Sequence, residues 1–183
     1  MIYLASLGTF EEPLEPLVPS EPLWQEKSLY ISQSLATSHQ SRKNEVILMT
    51  TDCSLPDTEV QRLLHAAFEA QKNSYSPYSH YPVGAAVLLE DGSIFTGCNV
   101  ENASYPAGFC AEQNAIGSAI AAGKLNFQAI AVVGSEDTYT TPCGICRQVL
   151  AEFHVPYIIC GKKLSDWTVY RLEELLPHSF EKQ

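Results

Sequence analysis

The sequence predicts a three-layer α/β/α sandwich around a mixed five-stranded sheet. Composition gives the first reason: 183 residues, 45% hydrophobic and 17% charged, suit one domain with a proper core. The second is the order of local patterns, α-β-β-α-β-α-β-β-α. An opening pair of strands joined by a tight turn makes part of the sheet antiparallel. The later alternation of helix and strand calls for helices on both faces. No internal repeat is present.

Residues 1–48 stand apart. Glu11-Glu12-Pro13-Leu14-Glu15-Pro16 and Pro19-Ser20-Glu21-Pro22 mix prolines with acids, and residues 32–42 are rich in Ser, Thr and Gln. Leu23-Trp24 and Tyr30-Ile31 keep no steady period, so the stretch reads as a poorly ordered N-terminal extension. Residues 49–183 read as the folded domain, and Met49 is a candidate internal start. Val60, Leu63, Leu64, Ala67 and Phe68 then recur at helical spacing behind Ser54-Leu55-Pro56-Asp57, and Lys72-Asn73-Ser74 ends that helix. Residues 75–81, followed by Pro82, are loop. Residues 83–89 and 93–99 form a hairpin about Asp91-Gly92. A loop over 99–109 leads to a helix over 110–122, stopped by Gly123. A buried strand over 128–133 and an amphipathic helix over 143–153 follow. Strands over 155–160 and 167–171 and a short helix over 172–176 complete the domain.

Several classes are excluded by charge and hydropathy. A formal charge of −10 argues against gripping a phosphate backbone and favours a small, weakly charged ligand. No apolar run approaches the ~20 residues needed to span a bilayer. Met1 to Leu7 lacks a basic segment followed by a sustained apolar one, so the expected location is cytoplasmic. Six cysteines could make three disulfides, but in a cytoplasmic domain they read as metal ligands or reduced thiols. Cys53, Cys98 and Cys160 are expected to be small packing residues.

The other three carry the chemistry. Cys110-Ala111-Glu112 opens one helix, and Pro142-Cys143-Gly144-Ile145-Cys146 opens another thirty-three residues later. Helix N-termini favour the thiolate that a metal requires, and strand-to-helix turns of one α/β sheet tend to open on a shared edge. By itself Cys143-Gly144-Ile145-Cys146 suits thiol–disulfide exchange as well as a metal. A third thiol with an acid two residues behind it favours Zn²⁺, one per subunit. Three Cys ligands leave a fourth position for water, and Glu112 is placed to handle that water's protons. Glu112 alone would be an ordinary first-turn acid. Cys-x-Glu followed by Pro-Cys-x-x-Cys is the pattern of zinc deaminases.

The chain resembles the small, homotetrameric, zinc-dependent cytidine deaminase family from about Leu63 to Phe180. The matching stretches are residues 74–86 (Ser-Tyr-Ser-Pro-Tyr-Ser-His-Tyr-Pro-Val-Gly-Ala-Ala), residues 97–106 (Gly-Cys-Asn-Val-Glu-Asn-Ala-Ser-Tyr-Pro), Cys110-Ala111-Glu112, Pro142-Cys143-Gly144-Ile145-Cys146-Arg147-Gln148 and Leu175-Leu176-Pro177-His178-Ser179-Phe180. The resemblance implies a cytidine-deaminase-like fold, Cys110, Cys143 and Cys146 as zinc ligands, and Glu112 as the catalytic acid and base. It implies that Asn99 and Glu101 hold the ribose 3′-hydroxyl and that the backbone of Ala111 binds the base. Tyr81 stands where the family usually has a Phe stacked on the pyrimidine. Tyr78, Tyr105 and Phe180 match aromatics at or near subunit contacts, Phe180 reaching a neighbour's site. The implied reaction is hydrolytic deamination of cytidine and 2′-deoxycytidine in pyrimidine salvage, by a homotetramer with no nucleic-acid or membrane partner.

Gln113 departs from the family, which commonly has Arg there. Three thiolates on Zn²⁺ leave a net charge of −1, and Gln supplies no offsetting cation. Lower intrinsic activity, or reliance on Arg147, is the expectation. The rival readings are a related deaminase acting on guanine, deoxycytidylate or an aminated antibiotic, a polynucleotide editor, a structural zinc module or degenerate subunit, and a redox protein.

Overall fold

The computed structural model describes residues 54–180. The expectations for residues 1–48, Met49 and Cys53 lie outside the described residues. Helix α1 spans Asp57–Gln71, strand β1 Gly84–Leu89 and strand β2 Ile94–Cys98. A 3₁₀ turn at Tyr105–Ala107 precedes helix α2 at Ala111–Ala121. Strand β3 is Phe127–Val133, helix α3 Gly144–Glu152, strand β4 Tyr157–Lys163, strand β5 Asp166–Arg171 and helix α4 Leu172–Leu175. The sheet order is β2-β1-β3-β4-β5. Only β3 and β4 are parallel; the other neighbours are antiparallel. The mixed five-stranded sheet expected from the sequence is therefore present. Among the described residues, no helix is long and apolar enough to cross a membrane.

Strand alternation divides the core in two. Ala85, Val87 and Leu89 of β1, with Ile130, Val132, Ile158 and Cys160, pack against Ala111, Ala115, Ile116 and Ala119 of α2 and Leu150 of α3. Ala86 and Leu88, with Ala129, Ala131, Val133 and Ile159, pack against Val60, Leu63, Leu64 and Ala67 of α1. Helix α1 thus covers one face, and α2 and α3, with Leu172 and Leu175 of the short α4, cover the other. Both faces of the central strands are buried, so β1 and β3 read as near-continuous apolar runs. Leu63 and Leu64 are fully enclosed, and truncating either to Ala would cost about 2–5 kcal/mol.

The helix ends follow local chemistry. Gly123 takes φ +76° after α2, where its N–H donates to Ile120 O and that of Lys124 to Ala119 O. This is the Schellman arrangement that glycine favours. The same pair of bonds ends α3, from His154 to Ala151 O and from Val155 to Leu150 O, with His154 at φ +51°. That stop corrects the expected strand over 155–160: Val155 belongs to the helix terminus and Pro156 has no N–H for a ladder. Strand β4 starts at Tyr157 and runs on to Lys163, paired with β5. At the start of α1, Pro56 occupies the cap position and no side chain caps it.

Candidate active site

Strands β2 and β3 are each antiparallel to β1, so they run in the same direction. Helix α2 follows β2 and helix α3 follows β3, so both helix N-termini open on one edge of the sheet. Gly97 lets α2 lie close across β2: a Cβ there would meet Ala115 N at 2.4 Å and Ala111 O at 2.5 Å. Asn114 Nδ2 donates to Cys98 O at 2.8 Å and pins the first turn of α2 to the end of β2.

This geometry brings the three predicted thiols together. Cys110 caps α2, Cys143 caps α3, and Cys146 lies in the first turn of α3. Their Sγ atoms all lie within 4.8 Å of one another, and the Cys110–Cys143 pair is 3.8 Å apart. Tetrahedral Zn–S bonds of about 2.3 Å place two sulfurs about 3.8 Å apart. The donor set therefore fits zinc. Hydrogen bonds from the Cys146 and Cys143 thiols hold the Cys110 thiol down at about 7. The same bond with Cys110, aided by burial, raises that of Cys146.

Glu112 is 5% exposed and is the one buried charged side chain among the described residues. Burial raises its carboxyl above the usual range, opposed by a hydrogen bond from the Cys146 thiol. Ala111, also buried, opens the same helix turn. Cys160 lies in the core, where desolvation pushes its thiol up to about 12. Cys98 Sγ donates to Asn73 O at 3.3 Å.

Gln113 has a local role that the charge argument overlooked. Its Oε1 accepts from Cys110 N–H at 3.1 Å, while its own N–H faces the Cys110 side chain, completing a capping box. The spacing Cys110-x-x-Gln113 carried that signal. Arg147, the suggested substitute cation, makes its hydrogen bonds to oxygen instead of sulfur. Nε donates to Pro142 O at 2.8 Å, Nη1 to Leu175 O at 2.9 Å and Nη2 to Thr141 Oγ1 at 3.5 Å. It secures the turn that delivers Cys143.

A cavity of about 580 Å³ opens beside Cys110, lined by Asn99, Glu101, Tyr78, Tyr105 and Ile145 among others. Asn99 Oδ1 accepts from Val83 N–H at 2.8 Å and from Ser74 Oγ at 2.5 Å, and its Nδ2 donates to Tyr81 O at 2.9 Å. The Glu101 carboxylate accepts from the N–H groups of Tyr78 and Ser79 and from Ser79 Oγ, which lowers its pKa, the Ser79 hydroxyl most of all. Both side chains therefore organise the 75–82 loop. Tyr78 and Tyr105 meet edge to face at 6.4 Å.

Tyr81 and Phe180 are not in that lining. Tyr81 is exposed beside it, its backbone held by Asn99. Phe180 is 79% exposed, and Gln148 holds its backbone from both sides: Nε2 donates to Phe180 O at 2.8 Å, and Oε1 accepts from Phe180 N–H at 3.0 Å. Sequence reasoning had given Gln148 no role.

Residues 57–162 match the model of the cytidine and deoxycytidylate deaminase zinc-binding region, a span that holds all three thiols and Glu112. The chain belongs to that family. A cytidine deaminase of Sporosarcina psychrophila is 41% identical over 128 residues, 68% of this chain and 93% of the relative. One from Mycobacterium tuberculosis is 37% identical over 126 residues, 69% of this chain and 92% of the relative. Among solved structures, the cytidine deaminase of Burkholderia pseudomallei is similar with a TM-score of 0.62 and 45% identity, covering 65% of this chain and 97% of its own. The matched region is a zinc-binding one, and Cys110, Cys143 and Cys146 within it have the geometry to hold that ion.

Proposed function

We propose that this protein is a zinc-dependent cytidine deaminase that hydrolyses cytidine and 2′-deoxycytidine to the corresponding uridine and ammonia. The observation that carries the reading is one cluster: three sulfurs within 4.8 Å, with Glu112 buried in the same helix turn as Cys110. Cys110, Cys143 and Cys146 would hold the ion. When bound, Zn²⁺ supplies a Lewis acid that acidifies water near neutral pH.

Glu112 takes a proton from the attacking water and delivers it to N3 of the base. The water oxygen bonds to C4, the bond from C4 to the exocyclic nitrogen breaks, and Glu112 passes a further proton to the departing amine. Burial of the carboxyl suits the proton-taking half of that duty, because it makes the carboxylate a better base. Asn99 and Glu101 receive the ribose 3′-hydroxyl, the Ala111 backbone meets the base, and Tyr81 stacks on it. Asn99 and Glu101 favour a free nucleoside over a ligand with phosphate beside Glu101.

Residues 49–183 form the catalytic domain in this reading, and 1–48 an extension to it. Exposed Tyr78, Tyr105, Phe109, Ile145 and Phe180 support assembly of a homotetramer in which Tyr78 and Tyr105 serve at or near subunit contacts and Phe180 reaches a neighbour's site. The setting is cytoplasmic pyrimidine salvage. Ultraviolet monitoring of cytidine loss, with and without a zinc chelator, tests the assignment. Chelator-sensitive loss of cytidine is expected. Turnover of deoxycytidylate alone would overturn the substrate, and zinc binding without deamination would overturn the activity.

A further inference from the structure

The Tyr81 side chain has a partner that its place in the sequence does not announce. Its hydroxyl lies 2.7 Å from Thr140 Oγ1, in hydrogen-bond contact. Thr140 Oγ1 also accepts from Ser135 N–H at 3.2 Å, so it is held within the connection from β3 to α3. Thr140 stands three residues before Cys143. The contact needs a bare backbone beside it: a Cβ on Gly134 would lie 2.4 Å from Thr140 Oγ1 and 3.0 Å from Tyr81 Oη. Gln71 closes the same corner, its Nε2 donating to Gly134 O at 2.7 Å and to Pro82 O at 3.0 Å.

The near end of Tyr81 is fixed as well. Its N–H donates to Ser79 Oγ at 3.1 Å and its carbonyl accepts from Asn99 Nδ2. With the backbone held, two side-chain torsions remain, and an exposed ring would sample several rotamers. The bond to Thr140 selects one. It also ties that ring to the segment that presents Cys143 and Cys146.

We propose that Thr140 is a positioning residue for substrate, acting through the Tyr81 hydroxyl to fix the ring against which the pyrimidine rests at a set offset from the thiol cluster. The inference rests on the reading of Tyr81 as a base-facing residue. The ring meets the base alike in ground and transition states, so loosening it should raise KM and leave kcat nearly unchanged.

Steady-state deamination of cytidine by the zinc-loaded protein and its Thr140→Val, Tyr81→Phe and double variants is the test, with zinc content and melting temperature measured in parallel. Each single variant should raise KM by about three- to tenfold, the scale of one hydrogen bond, with kcat within about twofold. The double variant should be no worse than either single one, because both remove the same contact. Thr140→Ser should keep the low KM, and Gly134→Ala, which drives the two hydroxyls apart, should raise it. Unchanged KM in Thr140→Val, or additive rises in the double variant, would overturn the inference while leaving the deaminase assignment intact. A fall in kcat and melting temperature without a rise in KM would assign Thr140 a merely structural role and overturn it too. Wild-type protein that does not turn over cytidine would remove the underlying reading and this inference together.

Discussion

The two halves of the site are built in different ways. The thiol half rests on two helix N-termini whose positions follow from β2 and β3 running the same way against β1, and Cys146 and Glu112 are buried there. The proposed nucleoside half rests on loops, with Asn99, Glu101 and Tyr81 exposed or half-buried, Asn99 bonded to the backbone of Val83 and Tyr81 and Glu101 to that of Tyr78 and Ser79. In the first, secondary structure aims the groups and the side chains are left for chemistry. In the second, the groups proposed to bind the sugar also hold the loop together. Substitution should therefore separate function from folding cleanly in the first half and mix them in the second.

The sharpest test of that contrast lies inside the thiol half. Glu112→Ala should lower kcat by at least about a thousandfold, the range for losing a group that serves as both acid and base, while zinc content stays at one per chain. Cys143→Ala should lose zinc and melt at lower temperature, because metal binding at this site links two helices. Metal analysis beside thermal unfolding distinguishes the two. Zinc loss in Glu112→Ala would break the separation.

Asn99→Ala probes the other half. It removes three own-chain hydrogen bonds, worth about 1.5–4.5 kcal/mol together, as well as the proposed ribose contact. Urea unfolding and KM should both worsen. A raised KM at unchanged stability would show that the amide serves substrate alone and would dissolve the contrast.

The smallest effect is expected at Gln113. Replacing it with Arg adds a cation beside the thiolates but removes the acceptor for Cys110 N–H. Turnover should rise severalfold as the cation offsets the site's negative charge, and stability should fall by about 0.5–1 kcal/mol for the lost cap. Higher turnover with unchanged unfolding would mean that the capping box contributes nothing; unchanged turnover would count against the charge argument.

Much of the fold was legible because its signals are local. Periodicity placed α1 on Val60, Leu63, Leu64, Ala67 and Phe68, the first four buried and Phe68 half-buried against the same cluster, and Gly92 and Gly123 marked the hairpin and a helix end through their positive φ. The end of α3 was less legible, since His154 adopts there a conformation more often left to glycine. The thiols and Glu112 were legible because metal ligation needs particular residue types at fixed spacing. The partners of Arg147, Pro142 and Leu175, were not legible, because nearness in sequence says nothing of where five guanidinium donors point.

By itself, then, the sequence determined which residues can ligate zinc, which acid accompanies them, and the order of helices and strands, since those follow from side-chain chemistry and from the repeat of each element. Tertiary structure decided the rest. Strand direction carried Cys110 to Cys143 across thirty-three residues, and burial raised Glu112. Packing of distant segments set Tyr81 against Thr140 and committed Arg147 to Pro142 and Leu175. These are contacts between parts of the chain with no local pattern in common, so only the folded backbone determines which of them form.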